Sequence, residues 1–213
     1  MSSVATAMTR RVPWRALAAL AAAIPLAVML VDGLREGLTV NPIQELTLRT
    51  GKVGLVLLVA ALACTPLNAL LGWRFTLSFR RDLGLYGFGY IALHLAIFAL
   101  VDLGLDLDLI ARTVLQKPFV IAGSAAFLLL LPLAITSTRG WQRRLGRRWK
   151  GLHRLFYIAM PLAVLHYAWL VKADLRPPLA YAVGVAVLLL LRVSAVRRLF
   201  GPRRRGVDYT ART

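Results

Sequence analysis

Three histidines, His94, His153 and His166, are the residues of this chain with the most chemistry to offer. Each lies in or beside a stretch apolar enough to sit in a bilayer. The segment WKGLHRLFYIAMPLAVLHYAWLVK carries the last two. A polar side chain held in lipid is costly, so an intramembrane histidine is a functional candidate by default. For any single one, a hydrogen bond to a neighbouring helix is the bland alternative. Depth separates the two readings. Counted from Arg81 and Asp82, His94 lies about 12 residues along its helix, roughly 18 Å at 1.5 Å per residue. His166 lies about 16 residues beyond Lys150, roughly 24 Å by the same rise. Within the few Å by which helix ends vary, the two share one level on two helices that run in the same direction. Two imidazoles at matched depth can ligate one iron from opposite faces of a porphyrin. Without a nearby Cys, Asp or Glu they make a poor zinc site.

His153 belongs to another level. It precedes His166 by 13 residues, which is roughly 20 Å of helix. Thirteen steps of 100° leave the two side chains about 140° apart on an ideal helix. Pro161 lies between them and can alter that phase. His153 is open to two roles, ligand of a second, inner haem or contact for a flavin or quinone. A second bis-histidine haem needs a fourth histidine, and the chain has three. Arg80 and Arg81, at the matching depth on the other helix, are not substitutes for it.

The elements that must position these residues are membrane helices. About 20 apolar residues cross the hydrocarbon core, with roughly 17–25 acceptable. Charge-free stretches at residues 16–31, 53–73, 83–101, 118–138, 155–171 and 177–191 predict six spans. The first and last are short, and flanking arginines can snorkel to the headgroups. The basic start at Arg10, Arg11 and Arg15 resembles a signal peptide, with a weak twin-arginine echo. No small-residue cleavage site closes the run, so it reads as an uncleaved first helix. With the N-terminus inside, the inner segments carry 20 of the 27 lysines and arginines. That asymmetry predicts both termini in the cytoplasm. The loop STRGWQRRLGRRWKGLHR is the strongest such signal. It reads as a topological anchor first, and as a docking surface for an anionic partner or a flavin phosphate second. No internal repeat or low-complexity linker stands out. The organisation expected is a basic tail at residues 1–15, a six-helix domain at 16–195 and a second basic tail at 196–213.

Composition narrows the function further. Of 213 residues 59% are hydrophobic, and the mean hydropathy is +0.68. The formal net charge of +18 belongs to loops that flank spans, so nucleic acid is not the expected partner. One cysteine, Cys64, excludes a disulfide framework and a C-x-x-C redox or zinc centre. P-loop, dinucleotide, serine-hydrolase and H-E-x-x-H signatures are missing. The reductant must therefore be another molecule. Gly84, Gly87 and Gly89 leave room either for helix packing or for a porphyrin face. Tyr86, Tyr90, Tyr157 and Tyr167 read as packing or interfacial residues before cofactor donors, and Trp141 and Trp149 as an interfacial belt. Thr136, Ser137, Thr138 and Arg139 either end a helix or bind an anion. Asp102, Asp106 and Asp108 in the outer loop are solvated charges or a docking patch.

The segments LGLYGFGYIALH, KPFVIAGSAAFLLLLPLAITSTRGWQRRLGRRWKGLHRLFYI and VLHYAWLVKADLRPPLAYA strongly resemble the MsrQ (YedZ) family. These are haem-binding membrane subunits of the periplasmic methionine sulfoxide reductase system MsrPQ, within the wider ferric reductase-like transmembrane group. The resemblance runs over roughly residues 51–198. It implies an all-α membrane protein, a six-transmembrane-helix bundle binding haem b, in the bacterial cell inner membrane. It implies FMN as a further cofactor, for which no motif is visible. It also implies electron transfer from the quinone pool, or a cytoplasmic flavin reductase, to the periplasmic molybdopterin enzyme MsrP, which reduces oxidised methionine in proteins. The family's haem histidines fall on His94, His153 and His166, one fewer than in the two-haem oxidase relatives. The alternative reading is a transmembrane ferric or other metal reductase on the same haem core; a non-redox membrane protein with packing histidines is the third.

Overall fold

The computed structural model describes residues 14–35, 37–171 and 173–192. Most of both expected basic tails lies outside the described residues. Among the described residues, nine α-helices, a π-helical segment and a 3-10 turn account for the fold, and no strand occurs. The helices are α1 (Trp14–Leu34), α2 (Pro42–Leu71), α3 (Phe75–Ala96), α4 (Leu107–Gln116), α5 (Pro118–Ile135), α6 (Arg139–Leu145), α7 (Arg147–Leu152), α8 (Phe156–Leu170) and α9 (Arg176–Leu190). Helix α3 continues into the π segment Ile97–Asp102, and the 3-10 turn His153–Leu155 leads from α7 into α8.

Four helical stretches, Ala16–Leu34, Pro42–Leu71, Phe75–Asp102 and Pro118–Ile135, are long and apolar enough to cross a membrane. Helices α8 and α9, where the fifth and sixth spans are expected, have 15 residues each. That length is about 22 Å at 1.5 Å per residue, against a hydrocarbon core of about 30 Å.

Helices α2 and α3 both begin well before their charge-free cores; for α2 a cap rather than hydropathy sets the start, whereas α3 begins without a side-chain cap. Asn41 caps α2, its side chain accepting from the Gln44 N–H at 3.1 Å, and Pro42 fills the first turn where a missing N–H costs nothing. Glu45 accepts from the Thr39 N–H and pairs with Arg49, which also reaches Asp32. Gly72, in the left-handed region at φ 71°, closes the far end with its N–H on the Asn68 carbonyl. The outer loop expected between spans three and four instead carries α4. Asp106 caps it, accepting from the Asp108 and Leu109 N–H groups. Its apolar residues fall on one face, with Leu107 and Leu115 exposed.

The helices assemble as two hairpin-like pairs, α2 against α3 and α5 against α8, with α9 against α8 and α1 against α3. Leu58, Leu62, Ala159 and Met160 are buried where the pairs meet. Lipid is as apolar as leucine, so close packing rather than water exclusion must hold such helices together. Glycine provides it between α2 and α3. A Cβ at Gly54 would stand 2.7 Å from Ile91 Cδ1, and one at Gly87 would stand 2.9 Å from Leu58 Cγ and 3.1 Å from the Leu58 nitrogen. Helix α1 is fastened by Tyr90. Its hydroxyl accepts from the Leu26 N–H and donates to the Ala22 carbonyl at 2.6 Å. That places it beside Pro25, where the helical ladder lacks a donor.

Candidate functional site

His94 projects from α3, and its Nδ1 lies 2.8 Å from the Thr47 carbonyl oxygen on α2. His166, on α8, sets its Nδ1 2.6 Å from the Phe119 carbonyl oxygen on α5. A carbonyl only accepts. Each Nδ1 must therefore carry a proton and donate, and in the neutral imidazole that leaves Nε2 as the lone pair. The two rings face each other across the bundle, with centroids 6.0 Å apart and planes crossed at 81°. The Phe119 ring, 5.9 Å from His166, closes one side. Both imidazoles are partly buried.

This geometry suits one metal ion held between two imidazoles. Two metal–nitrogen bonds of about 2 Å, each continued about 1 Å to the ring centre, separate the centroids by about 6 Å. The carbonyl on the other nitrogen is the supporting contact that fixes tautomer and orientation in metal-binding histidines and raises the ligand's basicity. Among the described residues no group of three or more His, Cys, Asp or Glu side chains gathers at one point. The pair thus offers two imidazole nitrogens, as many as a bis-histidine haem takes from its protein.

The histidines are visible in the sequence, but what holds them is not. Thr47 and Phe119 contribute only backbone oxygens, which no residue type announces. Gly51 and Gly123 are the other omission. A Cβ at Gly51 would stand 3.0 Å from His94 Nδ1, and one at Gly123 would stand 2.7 Å from His166 Nδ1.

His153 is not brought to this pair. It lies on the 3-10 turn at the opposite end of the bundle, its ring tilted over Trp149 with centroids 3.9 Å apart. The Trp149 indole N–H donates to the Thr136 carbonyl at 2.9 Å. The Thr136 hydroxyl donates to the Pro132 carbonyl at 2.6 Å, and its oxygen stands 3.4 Å from His153 Nε2. Burial, and then the positive charge of Arg80, push the His153 imidazole below its ordinary pKa. A cavity of about 210 Å³ opens beside it, with Arg80, Arg81, Gly84, Gln142, Trp149 and His153 among its walls. The arginines dismissed as substitutes for a histidine therefore share a cavity with His153.

The other polar candidates resolve into structural contacts. Thr136 and Ser137 bond back to carbonyls at the end of α5, and Thr138 caps α6, accepting from the Trp141 N–H. Of the three glycines, Gly87 packs against Leu58, Gly84 lines the cavity, and Gly89 meets nothing within 4 Å. Tyr157 accepts from Arg192 at 2.7 Å, and Tyr167 meets Tyr181 edge-on. Asp106 is committed to its cap, while Asp102 and Asp108 are exposed.

Residues 50–164 match the family described as ferric reductase like transmembrane component. The chain is 44% identical over 180 residues to a Caulobacter vibrioides protein, covering 84% of this chain and 86% of that one. It is 49% identical over 158 residues to a Xanthomonas axonopodis pv. citri protein, covering 74% and 72%. A Rhodospirillum rubrum protein is 48% identical over 160 residues, covering 74% and 77%. All three carry the name protein-methionine-sulfoxide reductase heme-binding subunit MsrQ. No solved structure matches the chain.

Proposed function

Because the chain belongs to the MsrQ family, within the ferric reductase-like transmembrane group, we propose that it is a haem b electron-transfer subunit delivering electrons to periplasmic MsrP. The system so supplied reduces methionine sulfoxide in periplasmic proteins. The protein is a multi-pass component of the bacterial inner membrane with six spans and both termini cytoplasmic. The excess of lysine and arginine in the inner segments supports that orientation.

One observation carries the reading, the paired His94 and His166 rings with each Nδ1 engaged by a carbonyl. Bound there, a haem supplies a one-electron carrier. The protein's part is to present two Nε2 lone pairs at a fixed separation. The Nδ1–H bonds to the Thr47 and Phe119 carbonyls fix the tautomer and orientation of both rings, and apolar side chains around them keep the site in a low-dielectric setting. On the inner side, Arg80, Arg81, His153 and Trp149 offer cationic and aromatic contacts to the donor. Quinol from the membrane pool is the donor we favour, a cytoplasmic flavin reductase the second. FMN follows from family resemblance, and the same cavity walls are where its phosphate and ring would find partners. On the outer side Asp102 and Asp108 remain exposed for an incoming partner.

The family description favours a second reading, a metal reductase with an Fe(III) acceptor. Stopped-flow reoxidation of the dithionite-reduced protein separates the two. The expected result is rapid reoxidation by MsrP, with Fe(III) chelates slower by at least tenfold. Fast reoxidation by Fe(III) with none by MsrP would assign the chain to the metal reductases.

A further inference from the structure

The contacts that hold the two rings are the same contact made twice. His94 bonds to the carbonyl 47 positions before it, and His166 does likewise. Residues 47, 51 and 94 fall on 119, 123 and 166 with one offset of 72. The same offset carries Leu58 onto Leu130, both buried, and Asp102–Leu103 onto Asp174–Leu175. It also superposes the two helix pairs, α2 with α5 and α3 with α8. What recurs at this offset is the contact itself, a histidine Nδ1 on a carbonyl with a glycine one turn further along.

Each copy uses glycine for a definite physical reason. In an α-helix a side chain leans toward the N-terminus and covers the turn before it. The residue four positions on therefore screens a carbonyl from the side. Gly51 lies four residues after Thr47, and Gly123 four after Phe119. With no side chain at either place, the carbonyl stands open, and the imidazole can lie against the helix while donating Nδ1–H to it.

We infer that Gly51 and Gly123 are positioning residues that set the orientation of the two imidazole planes, holding them crossed at 81°. The inference rests on the reading of His94 and His166 as the axial pair. Ring orientation has its own spectroscopic signature. Parallel imidazoles act on the same iron d orbital and split the set widely, giving a rhombic three-line ferric signal. Crossed imidazoles act on different d orbitals and leave them nearly degenerate, giving a highly anisotropic signal with one dominant low-field feature.

Low-temperature electron paramagnetic resonance of the ferric full-length protein reads this directly, for wild type, Gly51→Ala, Gly123→Ala and the control Gly184→Ala. A Cβ at Gly184 meets nothing within 4 Å. Wild type and Gly184→Ala are expected to give the single-feature signal. Gly51→Ala should shift it toward the rhombic form, and Gly123→Ala further still, or with loss of the low-spin haem, because its clearance is smaller. Should Gly123→Ala fail to accumulate, Gly51→Ala decides the matter alone. A rhombic wild-type signal, or unshifted signals in the glycine variants, overturns the inference and leaves the axial assignment standing. A wild-type chain without low-spin haem overturns both.

Discussion

His166→Ala and His94→Ala are each expected to leave a chain that inserts in the membrane but loses its low-spin haem, whereas His153→Ala keeps it. On the proposed reading each of these histidines supplies one of two protein nitrogens to the iron, and among the described residues no third His, Cys, Asp or Glu gathers with them. Removing a mere supporting partner of a metal ligand costs roughly 10–100-fold in affinity. Removing the ligand itself should cost at least that much, and electron delivery to MsrP should fall with it. His153 lies in a different cavity, against Trp149 and Thr136. Its loss should spare the outer spectrum while altering any second cofactor and reduction by the donor. The check is haem per purified chain with reduced-minus-oxidised absorption for all three variants. An outer spectrum lost only in His153→Ala would reverse the assignment.

The second large effect is expected at a glycine packed against the neighbouring helix, Gly87. Gly87→Leu drives a branched side chain into the place where even a single Cβ would lie 2.9 Å from Leu58 Cγ and 3.1 Å from its backbone nitrogen. A side-chain tip can rotate away, but the α2 backbone cannot, so the helices must separate. Overpacking a well-filled interior costs about 1–3 kcal/mol, and more where backbone must move; we expect about 3 kcal/mol or more. The consequence reaches the site because α2 carries Thr47 and α3 carries His94. Denaturant unfolding in detergent should show the lost stability, with haem content falling in parallel. Gly89→Leu, at an open position on the same helix, should be near neutral. Equal effects at the two glycines would remove the packing argument.

These particulars also mark what was legible beforehand. Depth arithmetic paired His94 with His166 because helical rise is constant, even though α3 starts at Phe75, earlier than hydropathy suggests. Helix ends were harder, since Asn41 and Asp106 cap their helices through local hydrogen bonds that hydropathy does not register. For the same reason hydropathy alone reads α4 as loop, although its apolar residues fall at helical spacing. The supporting carbonyls were invisible because a backbone oxygen has no residue signature. Their glycines had one. Gly51 and Gly123 precede their histidines by equal intervals, a coincidence that draws attention only once the rings are seen together. Arg81 and His153 line one cavity although they lie 72 positions apart, a proximity that no local sequence pattern announces.

The central claim is that both axial ligands are imidazoles, and near-infrared magnetic circular dichroism of the ferric protein tests it most directly. The energy of the ligand-to-iron charge-transfer band reports the pair of axial atoms. A band at the bis-imidazole position in wild type, displaced or absent in His94→Ala and in His166→Ala, is the expected result. A band at any other ligand pair, or a bis-imidazole band that survives either substitution, would contradict the account.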